Sequence, residues 1–317
     1  MADLILHHFL ISPFSEKIRL ALGYKKLAWK SVIVPGVMPK PDVVALTGGY
    51  RKTPFLQIGA DIYCDSALIC EVLEQVQPSP ALYPSHGNGV ARTLAQWADT
   101  TLFWSVLAPP RNTAHMFAGA PPDTASLFSL DRETMKGPML RLRGPDAAAA
   151  CKDYLERVSD MLSGQPYLLG QAPCIADFSV YHSLWFSRQF TPVVEEMLRS
   201  VPAILSWMER MQAFGHGQIQ QIDSSDAVAI AANAEPLPIG QGRSHLPDNV
   251  FQDEHGIPLG SRVSITAESF GPEATEGELV AATRSHFTLR RHDVRAGFVH
   301  VHFPRIGYVL NRVTSLT

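Results

Sequence analysis

The fold is indicated most clearly by residues 12–22, SPFSEKIRLAL, which follow a short apolar segment at residues 4–10. The apolar positions of residues 12–22 have the spacing of a helix packed on a sheet, and the preceding segment reads as a strand. Ser12 suits a helix N-cap, Pro13 suits the first helical position, and Glu16 adds an acid to the first turn. The sequence therefore predicts a strand followed directly by a well-defined helix.

Strands and helices continue to alternate further along the chain. The patterns predict strands at residues 29–34, 53–58 and 62–64, and helices at residues 41–46 and 65–75. The resulting order, βαβ-α-ββα over about 75 residues, is typical of a thioredoxin-like arrangement. We assign residues 1–78 to an α/β thioredoxin-like domain.

The rest of the chain changes pattern twice. Residues 88–215 show long helical periodicity and predict an all-α domain of five or six helices. Residues 216–253 are rich in Gln, Ala, Pro, Gly and Ser, which favours a connector, with a helix around residues 227–232. Residues 254–317 alternate with period two and predict a small all-β domain, a barrel or a roll.

Composition excludes several classes of function. The net charge is -3 with a pI near 6.5, which gives no basic footprint for nucleic acid. The sequence contains no long uncharged apolar run, and its first residues lack the basic and apolar pattern of a leader. We therefore expect no membrane partner and a cytoplasmic location. The four cysteines form no CxxC motif and are predicted to be reduced core residues. A small molecule is the expected partner.

Ser12 and Ser15 stand where a redox-active thioredoxin-like domain would carry its CxxC cysteines. Because a hydroxyl forms no disulfide, dithiol chemistry is excluded at this site. A serine at a helix N-terminus can instead donate a hydrogen bond to a bound thiolate and lower the thiol pKa by about 1–3 units from its free value of roughly 8.5. The alternative is that Ser12 is only an N-cap.

Two further motifs strengthen the thiol hypothesis. Thr53-Pro54 opens a predicted strand, where a cis proline would expose the preceding backbone to an extended thiol peptide; ordinary turn chemistry is the alternative. Asp65-Ser66 opens the following helix, where a carboxylate can hold an ammonium and a hydroxyl with the helix amides can hold a carboxylate. A simple helix cap by Asp65 explains that pair equally well.

Taken together, residues 12–22, Lys52-Thr53-Pro54 and Asp65-Ser66 resemble the glutathione transferase superfamily, strongly over residues 3–80 and loosely over residues 90–212. The resemblance is to serine-type classes such as Tau, whereas Omega proteins carry cysteine at the position of Ser12. It implies glutathione as co-substrate, no metal, and a homodimer.

The resemblance also implies roles for individual residues. Ser12 matches the thiol-activating position, and Thr53 and Pro54 match the backbone clamp on the cysteinyl moiety. Asp65 and Ser66 match the γ-glutamyl site. Lys52, or less readily Lys40, would reach the glycyl carboxylate. The second-substrate pocket would lie between the two domains, with Phe14, Trp104 and Arg111 as candidates, although aromatic residues at helical spacing also suit a plain core.

Two regions depart from the family pattern. Cys174 replaces the Ser or Thr that usually caps a helix together with Asp177, which would remove a side-chain acceptor. In the β region, His300 and His302 share a strand face, and a nearby His286 or His292 would complete a metal site; a solvent-facing strand is the simpler interpretation.

Two functions follow. The first is a transferase in which Ser12 stabilises the glutathione thiolate and glutathione is transferred to an electrophilic small molecule. The alternative is a non-catalytic binding or interaction module whose function lies in the β region.

Overall fold

The computed structural model describes residues 3–137, 144–239, 245–246, 250–252 and 254–313. Its first part is the thioredoxin-like unit that the sequence predicts, with each element in the expected order. The elements are β1 (Ile5–His8), α1 (Pro13–Tyr24), β2 (Ala28–Ile33), α2 (Pro41–Thr47), β3 (Phe55–Ile58), β4 (Asp61–Cys64) and α3 (Ser66–Val76).

A helical part follows, and it is more finely divided than the predicted five or six helices because several helices are short. A π-helical turn at Ala98–Leu102 also interrupts the first long helix. The helices are α4 (Asn88–Trp97), α5 (Phe103–Leu107), α6 (Thr113–Met116), α7 (Thr124–Thr134), α8 (Gly144–Met161), α9 (Ile175–Phe190), α10 (Pro192–Arg199) and α11 (Pro202–Gln212).

The C-terminal region confirms the predicted strands and the predicted helix near residue 230. Its elements are β5 (Gln218–Gln221), α12 (Ser224–Ala232), β6 (Arg262–Ala267), β7 (Thr275–Ala282), β8 (His286–Asp293), β9 (Gly297–Pro304) and β10 (Tyr308–Arg312). None of the helices in the described ranges is long and apolar enough to cross a membrane.

All ten strands belong to one sheet, in the order β10-β6-β7-β8-β9-β4-β3-β1-β2-β5. Strands β6 to β10 pair antiparallel with one another and continue the thioredoxin-like sheet. The reason is that β9 pairs in parallel with β4, with Asp61 opposite His300 and Tyr63 opposite His302. The C-terminal region thereby covers one edge of the thioredoxin-like sheet.

The other edge is covered by β5, which pairs in parallel with β2. Its four side chains are all exposed, so it has no hydrophobic alternation and only backbone pairing defines it. This explains why the sequence pattern indicated a connector here. Next to it, α12 packs against α2 and the sheet, and the Gln57 side-chain amide donates to the Ala227 carbonyl at 2.8 Å.

The two sheet faces carry different cores, as the strand period of two requires. Leu6, Leu56 and Tyr63 face α1, α3 and the helical part. Phe55 and Ile62 face the opposite way, into a core shared with α2, α12 and the C-terminal strands. The four cysteines are buried and unpaired, and burial raises their thiol pKa values, as expected of reduced core residues.

The helical part keeps the capping box at the start of α9, with the Cys174 sulfur accepting from the Asp177 backbone amide in place of the usual hydroxyl. One oxygen of Asp177 accepts from the Cys174 backbone amide at 2.9 Å, and the other accepts from Leu168 N and Trp207 Nε1, both at 2.9 Å. The carboxylate therefore ties three segments together, which limits the effect of the serine-to-cysteine departure at the cap.

The junction between β4 and β9 is held by a buried acid. Asp61 Oδ1 lies 2.9 Å from His302 Nε2, and Asp61 Oδ2 accepts from Leu237 N at 2.9 Å. His302 Nδ1 contacts the Thr288 hydroxyl at 2.9 Å. His300 and His302 are thus buried instead of facing solvent. In the described part of the chain, no group of three potential ligands is arranged for a metal ion.

Removing the junction acid is the first test. We expect Asp61→Ala to lower the free energy of unfolding by about 2–4 kcal/mol, because His302 and Leu237 N lose a buried acceptor. Chemical denaturation measures the effect. The matched control is Glu276→Ala in β7, whose exposed ion pair with Arg262 should contribute less than about 1 kcal/mol. Equal losses in both variants would contradict the role of Asp61.

Two buried histidines in β1 predict how stability depends on pH. Burial lowers the pKa of His7 to about 4, and burial with the nearby Arg19 charge lowers that of His8 to about 3. The unfolded chain takes up these protons below its pKa of about 6.5, whereas the folded chain does not. The contribution of these two histidines to the free energy of unfolding is therefore fully present above pH 6.5 and is lost as the pH drops towards 4.

The expected loss between pH 7 and pH 5 is on the order of 1–2 kcal/mol for each histidine. Denaturation of His7→Gln at both pH values should show a smaller pH-dependent loss than the unmodified chain. His86→Gln, which changes an exposed histidine, serves as the control. An unchanged pH dependence in the His7 variant would refute this explanation.

Candidate functional site

Ser12 lies at the start of α1, where β1 delivers the chain to the carboxyl edge of the sheet. Its Oγ accepts from Ser15 N at 3.3 Å, as an N-cap does, and donates to the Thr53 carbonyl at 3.4 Å. Ser15 lies beneath it, fully buried, and its hydroxyl accepts from Phe9 N at 3.4 Å. Ser12 is therefore the hydroxyl of the two that a bound thiol can reach.

The Thr53–Pro54 peptide bond is cis, as the sequence motif predicts. Lys52, just before it, does not extend into solvent. Its ammonium lies 5.2 Å from the ring centre of Tyr50 and 5.0 Å from that of Tyr308. Burial lowers the pKa of Lys52, which the charge of Asp65 partly offsets.

Asp65 has a φ of 80°, a conformation that non-glycine residues rarely adopt and that is enriched at functional sites. Its backbone amide donates to the Tyr50 hydroxyl at 3.1 Å. Its Oδ1 caps α3 by accepting from Ala67 N at 2.9 Å, and its Oδ2 accepts from the Tyr308 hydroxyl at 3.1 Å. The strained backbone is thus held from both sides, by β10 and by the chain before β3.

Ser66 is supported from below by a charged network that reaches into the helical part. Lys17 Nζ, fully buried, donates to Ser66 Oγ at 3.3 Å and to Asp99 Oδ2 at 2.6 Å. Asp99 Oδ1 lies 2.8 Å from His182 Nε2. Because the Ser66 oxygen accepts from Lys17, the Ser66 hydroxyl keeps its own hydrogen for another acceptor.

The charges of this network stabilise one another. Burial alone would lower the pKa of Lys17, but the Asp99 carboxylate outweighs it and the pKa is raised. Burial alone would raise the pKa of Asp99, but Lys17 and His182 outweigh it and the pKa is lowered. Burial lowers the pKa of His182, so this imidazole is neutral near pH 7. The Lys17 ammonium therefore lies behind Ser66 as one half of a buried ion pair with Asp99.

An aromatic wall runs from Ser12 into the helical part. The Phe14 ring lies 4.8 Å from Phe103 and 4.6 Å from His182, and Phe103 lies 5.0 Å from Trp104. Phe14 and Trp104 therefore belong to one continuous surface. Arg111 lies beyond the end of α5 with an exposed side chain, which donates to the Leu107 carbonyl at 2.7 Å.

Sequence reasoning missed three groups that shape this site. Lys17 and Asp99 read as ordinary polar positions of helices, and only their burial shows that they pair. Tyr308 lies 243 positions from Asp65, in a region without a family pattern. The sequence does contain one signal for Lys17. It lies among the apolar positions of α1, where a buried lysine needs a charged or hydrogen-bonding partner.

Comparisons with known proteins place the chain in a family. Residues 6–81 match the glutathione S-transferase N-terminal domain, and residues 145–213 match the glutathione S-transferase C-terminal domain. The solved structure of a GST-like protein from Pseudomonas syringae is 42% identical, with a TM-score of 0.76, over 99% of this chain and 100% of that one. The chain belongs to the glutathione S-transferase superfamily.

Other relatives are more distant. FtsZ-localized protein A of Caulobacter vibrioides is 26% identical over 186 residues, which are 55% of this chain and 72% of that protein. The beta-etherase LigF of Sphingobium sp. strain SYK-6 shares the fold at 18% identity and a TM-score of 0.51, over 67% of this chain and 95% of that one. The match to the Pseudomonas syringae protein spans the C-terminal strands as well.

The hydrogen bond from Tyr308 to Asp65 generates a prediction. We expect Tyr308→Phe to weaken glutathione binding about 3–10-fold, because the Asp65 carboxylate loses the donor that fixes its orientation. Calorimetric titration with glutathione measures the change. Tyr83→Phe, in the linker after α3, is the control and should leave the affinity unchanged. An unaltered affinity in the Tyr308 variant would show that Asp65 needs no support from β10.

Proposed function

We propose that this protein is a glutathione transferase in which Ser12 stabilises the glutathione thiolate. The observation that carries the proposal is the position of the Ser12 hydroxyl, half-buried at the N-terminus of α1 and beside the cis Thr53–Pro54 bond. Its hydrogen bond to the Thr53 carbonyl is long, at 3.4 Å, so the hydroxyl can turn to a stronger acceptor. A thiolate at this place is such an acceptor.

The chemistry then needs little more than a lowered thiol pKa. The thiol proton passes to solvent, and the remaining thiolate receives the Ser12 hydrogen bond and the favourable field of the α1 N-terminus. The sulfur forms a bond to the electrophilic carbon, and a leaving group departs with the electrons of the bond that breaks. In an addition, the electron pair instead moves to the adjacent atom, which takes up a proton.

The proposed γ-glutamyl site uses Asp65 and Ser66. Asp65 Oδ2 already accepts from Tyr308, but a carboxylate oxygen can accept a second donor, here the α-ammonium. The α-carboxylate would accept from the Ser66 hydroxyl and the first amides of α3, with the Lys17–Asp99 ion pair behind them. For the glycyl carboxylate, Lys52 is the better candidate.

Lys40 is less suitable for the glycyl carboxylate because it is engaged elsewhere. Its side chain is buried and donates to the Arg51 carbonyl at 3.2 Å, and burial lowers its pKa to about 8. The family resemblance further supports a cytoplasmic homodimer as a proposal. The edge of β4 is covered by β9 in this chain, so such a dimer would have to form without that edge.

A non-catalytic binding module is the second candidate. It is favoured by the similarity to FtsZ-localized protein A, whose name describes localisation and no reaction. In that case the chain would keep the transferase fold, and the C-terminal β region would carry the function. The two candidates differ in whether bound glutathione is ionised near neutral pH.

The test is a titration of the bound glutathione thiol, followed through thiolate absorbance. We expect the thiol pKa to fall to about 6–7 in the unmodified protein and to return towards about 8.5 in Ser12→Ala. Ser15→Ala is the matched control, since its buried hydroxyl contacts Phe9 N and should leave the thiol pKa unchanged.

Each other outcome has a defined meaning. Glutathione binding with an unshifted thiol pKa would favour the binding module. No binding at millimolar glutathione would exclude the transferase. A parallel thermal denaturation checks that Ser12→Ala, which also removes an N-cap, costs no more than about 1–2 kcal/mol of stability.

A further inference from the structure

A pocket of about 440 Å³ lies on the C-terminal strands. Its floor is formed by residues of β7, β8 and β9, and its walls by two segments of chain, residues 235–239 and 259–260. None of its described lining residues belongs to the candidate glutathione site in the cleft between the thioredoxin-like unit and the helical part. The volume is in the range of small-molecule binding sites. We call it the strand pocket.

Both walls of the strand pocket are bonded to the sheet. In the first wall, Leu237 N donates to Asp61 Oδ2 at 2.9 Å, and the proline on each side of Leu237 restricts the backbone φ. In the second wall, Gly260 N donates to the Leu279 carbonyl of β7 at 2.8 Å. The pocket is therefore formed before a ligand binds, so binding requires little ordering of the chain.

The floor places two opposite charges side by side without pairing them. Glu278 of β7 lies opposite Arg290 of β8, which in an antiparallel pair sets their Cβ atoms about 4.5–5.5 Å apart. The Arg290 guanidinium instead lies over the Phe298 ring of β9, 4.5 Å from its centre. Among the described residues, neither Glu278 nor Arg290 has an ion-pair partner. Both charged groups are thus free for a ligand.

The complete lining carries one cation and two acids. The cation is Arg290, and the acids are Glu278 and Glu235. His300 also lies on the floor, but burial lowers its pKa to about 4, so this imidazole is uncharged near pH 7. A ligand with a carboxylate alone would meet an excess of negative charge, and a ligand with an ammonium alone would leave Arg290 without a partner. A ligand that carries both groups suits the lining best.

We propose that the strand pocket binds a free α-amino acid with an apolar side chain. Arg290 binds the carboxylate through two parallel hydrogen bonds, and Glu278 with Glu235 binds the ammonium. An α-amino acid carries both groups on one carbon, which matches the adjacent positions of Glu278 and Arg290. The side chain of the ligand contacts the apolar part of the lining, which consists of Leu237, Ile239, Leu259, Val280 and Phe298. This site does not depend on the proposed transferase function.

The test is a calorimetric titration of the full chain with three ligands that share a phenyl ring. L-phenylalanine carries both charged groups, 3-phenylpropanoate carries the carboxylate alone, and 2-phenylethylamine carries the ammonium alone. We expect L-phenylalanine to bind at least about 10-fold more tightly than either of the others, because only it satisfies both Arg290 and Glu278. Equal affinities for the three ligands would overturn the proposal.

Two substitutions separate the two charged contacts. Arg290→Gln should weaken binding of L-phenylalanine and 3-phenylpropanoate about 10-fold and leave that of 2-phenylethylamine unchanged. Glu278→Gln should weaken binding of L-phenylalanine and 2-phenylethylamine by a similar factor and leave that of 3-phenylpropanoate unchanged. Both side chains are exposed, so neither variant should unfold the chain. Arg312→Gln, which changes an exposed arginine of β10, is the matched control and should alter no affinity.

A further variant excludes binding at the candidate glutathione site, where Asp65 is also placed to hold an ammonium. Asp65→Asn should leave the affinity for L-phenylalanine unchanged. A loss of binding in Asp65→Asn together with full binding in the Arg290 and Glu278 variants would overturn the proposal. So would the absence of binding of both L-phenylalanine and L-leucine at about 10 mM. Glutathione binding by the unmodified chain is measured separately, so the transferase proposal stands or falls independently.

Discussion

The parallel pairing of β4 with β9 is the constraint on which the rest of the structure depends. Without it, β4 would be the edge of a five-stranded sheet, β4-β3-β1-β2-β5, and the C-terminal strands would have no fixed position relative to the cleft. Asp61 secures this pairing, because its two oxygens bind His302 on β9 and Leu237 N. The acid is buried, so its hydrogen bonds act in a low-dielectric setting where an unmade bond is costly.

Fixing β9 also fixes, through β8, β7 and β6, the two segments that reach the cleft. β10 brings Tyr308 to Asp65, and the loop between β6 and β7 brings Gly271 to Lys52. The site is therefore built by three parts of the chain. The thioredoxin-like unit supplies Ser12 and the backbone at Thr53, the helical part supplies Asp99, and the C-terminal strands close the third side.

Much of this was accessible from the sequence wherever the signal was local. Ser12 and Pro13 specify a helix start through hydrogen bonding and a fixed φ, and the alternation of strands and helices to residue 76 follows from periodicity. The pairing of β4 with β9 was not accessible, because four residues from Asp61 to Cys64 read the same at an edge or in the interior of a sheet. β5 was missed because the side chains of Gln218–Gln221 are all exposed, so the strand has no hydrophobic alternation.

The contact between Tyr308 and Asp65 couples binding to folding. A ligand that engages the Asp65 carboxylate binds the folded arrangement in which Tyr308 and Lys52 surround it, so it also stabilises the docking of β10. By thermodynamic reciprocity, any partner that holds β6 to β10 in place raises the affinity of the site for that ligand by the same factor. The appended strands are thus placed to adjust the candidate site from outside the two glutathione S-transferase domains.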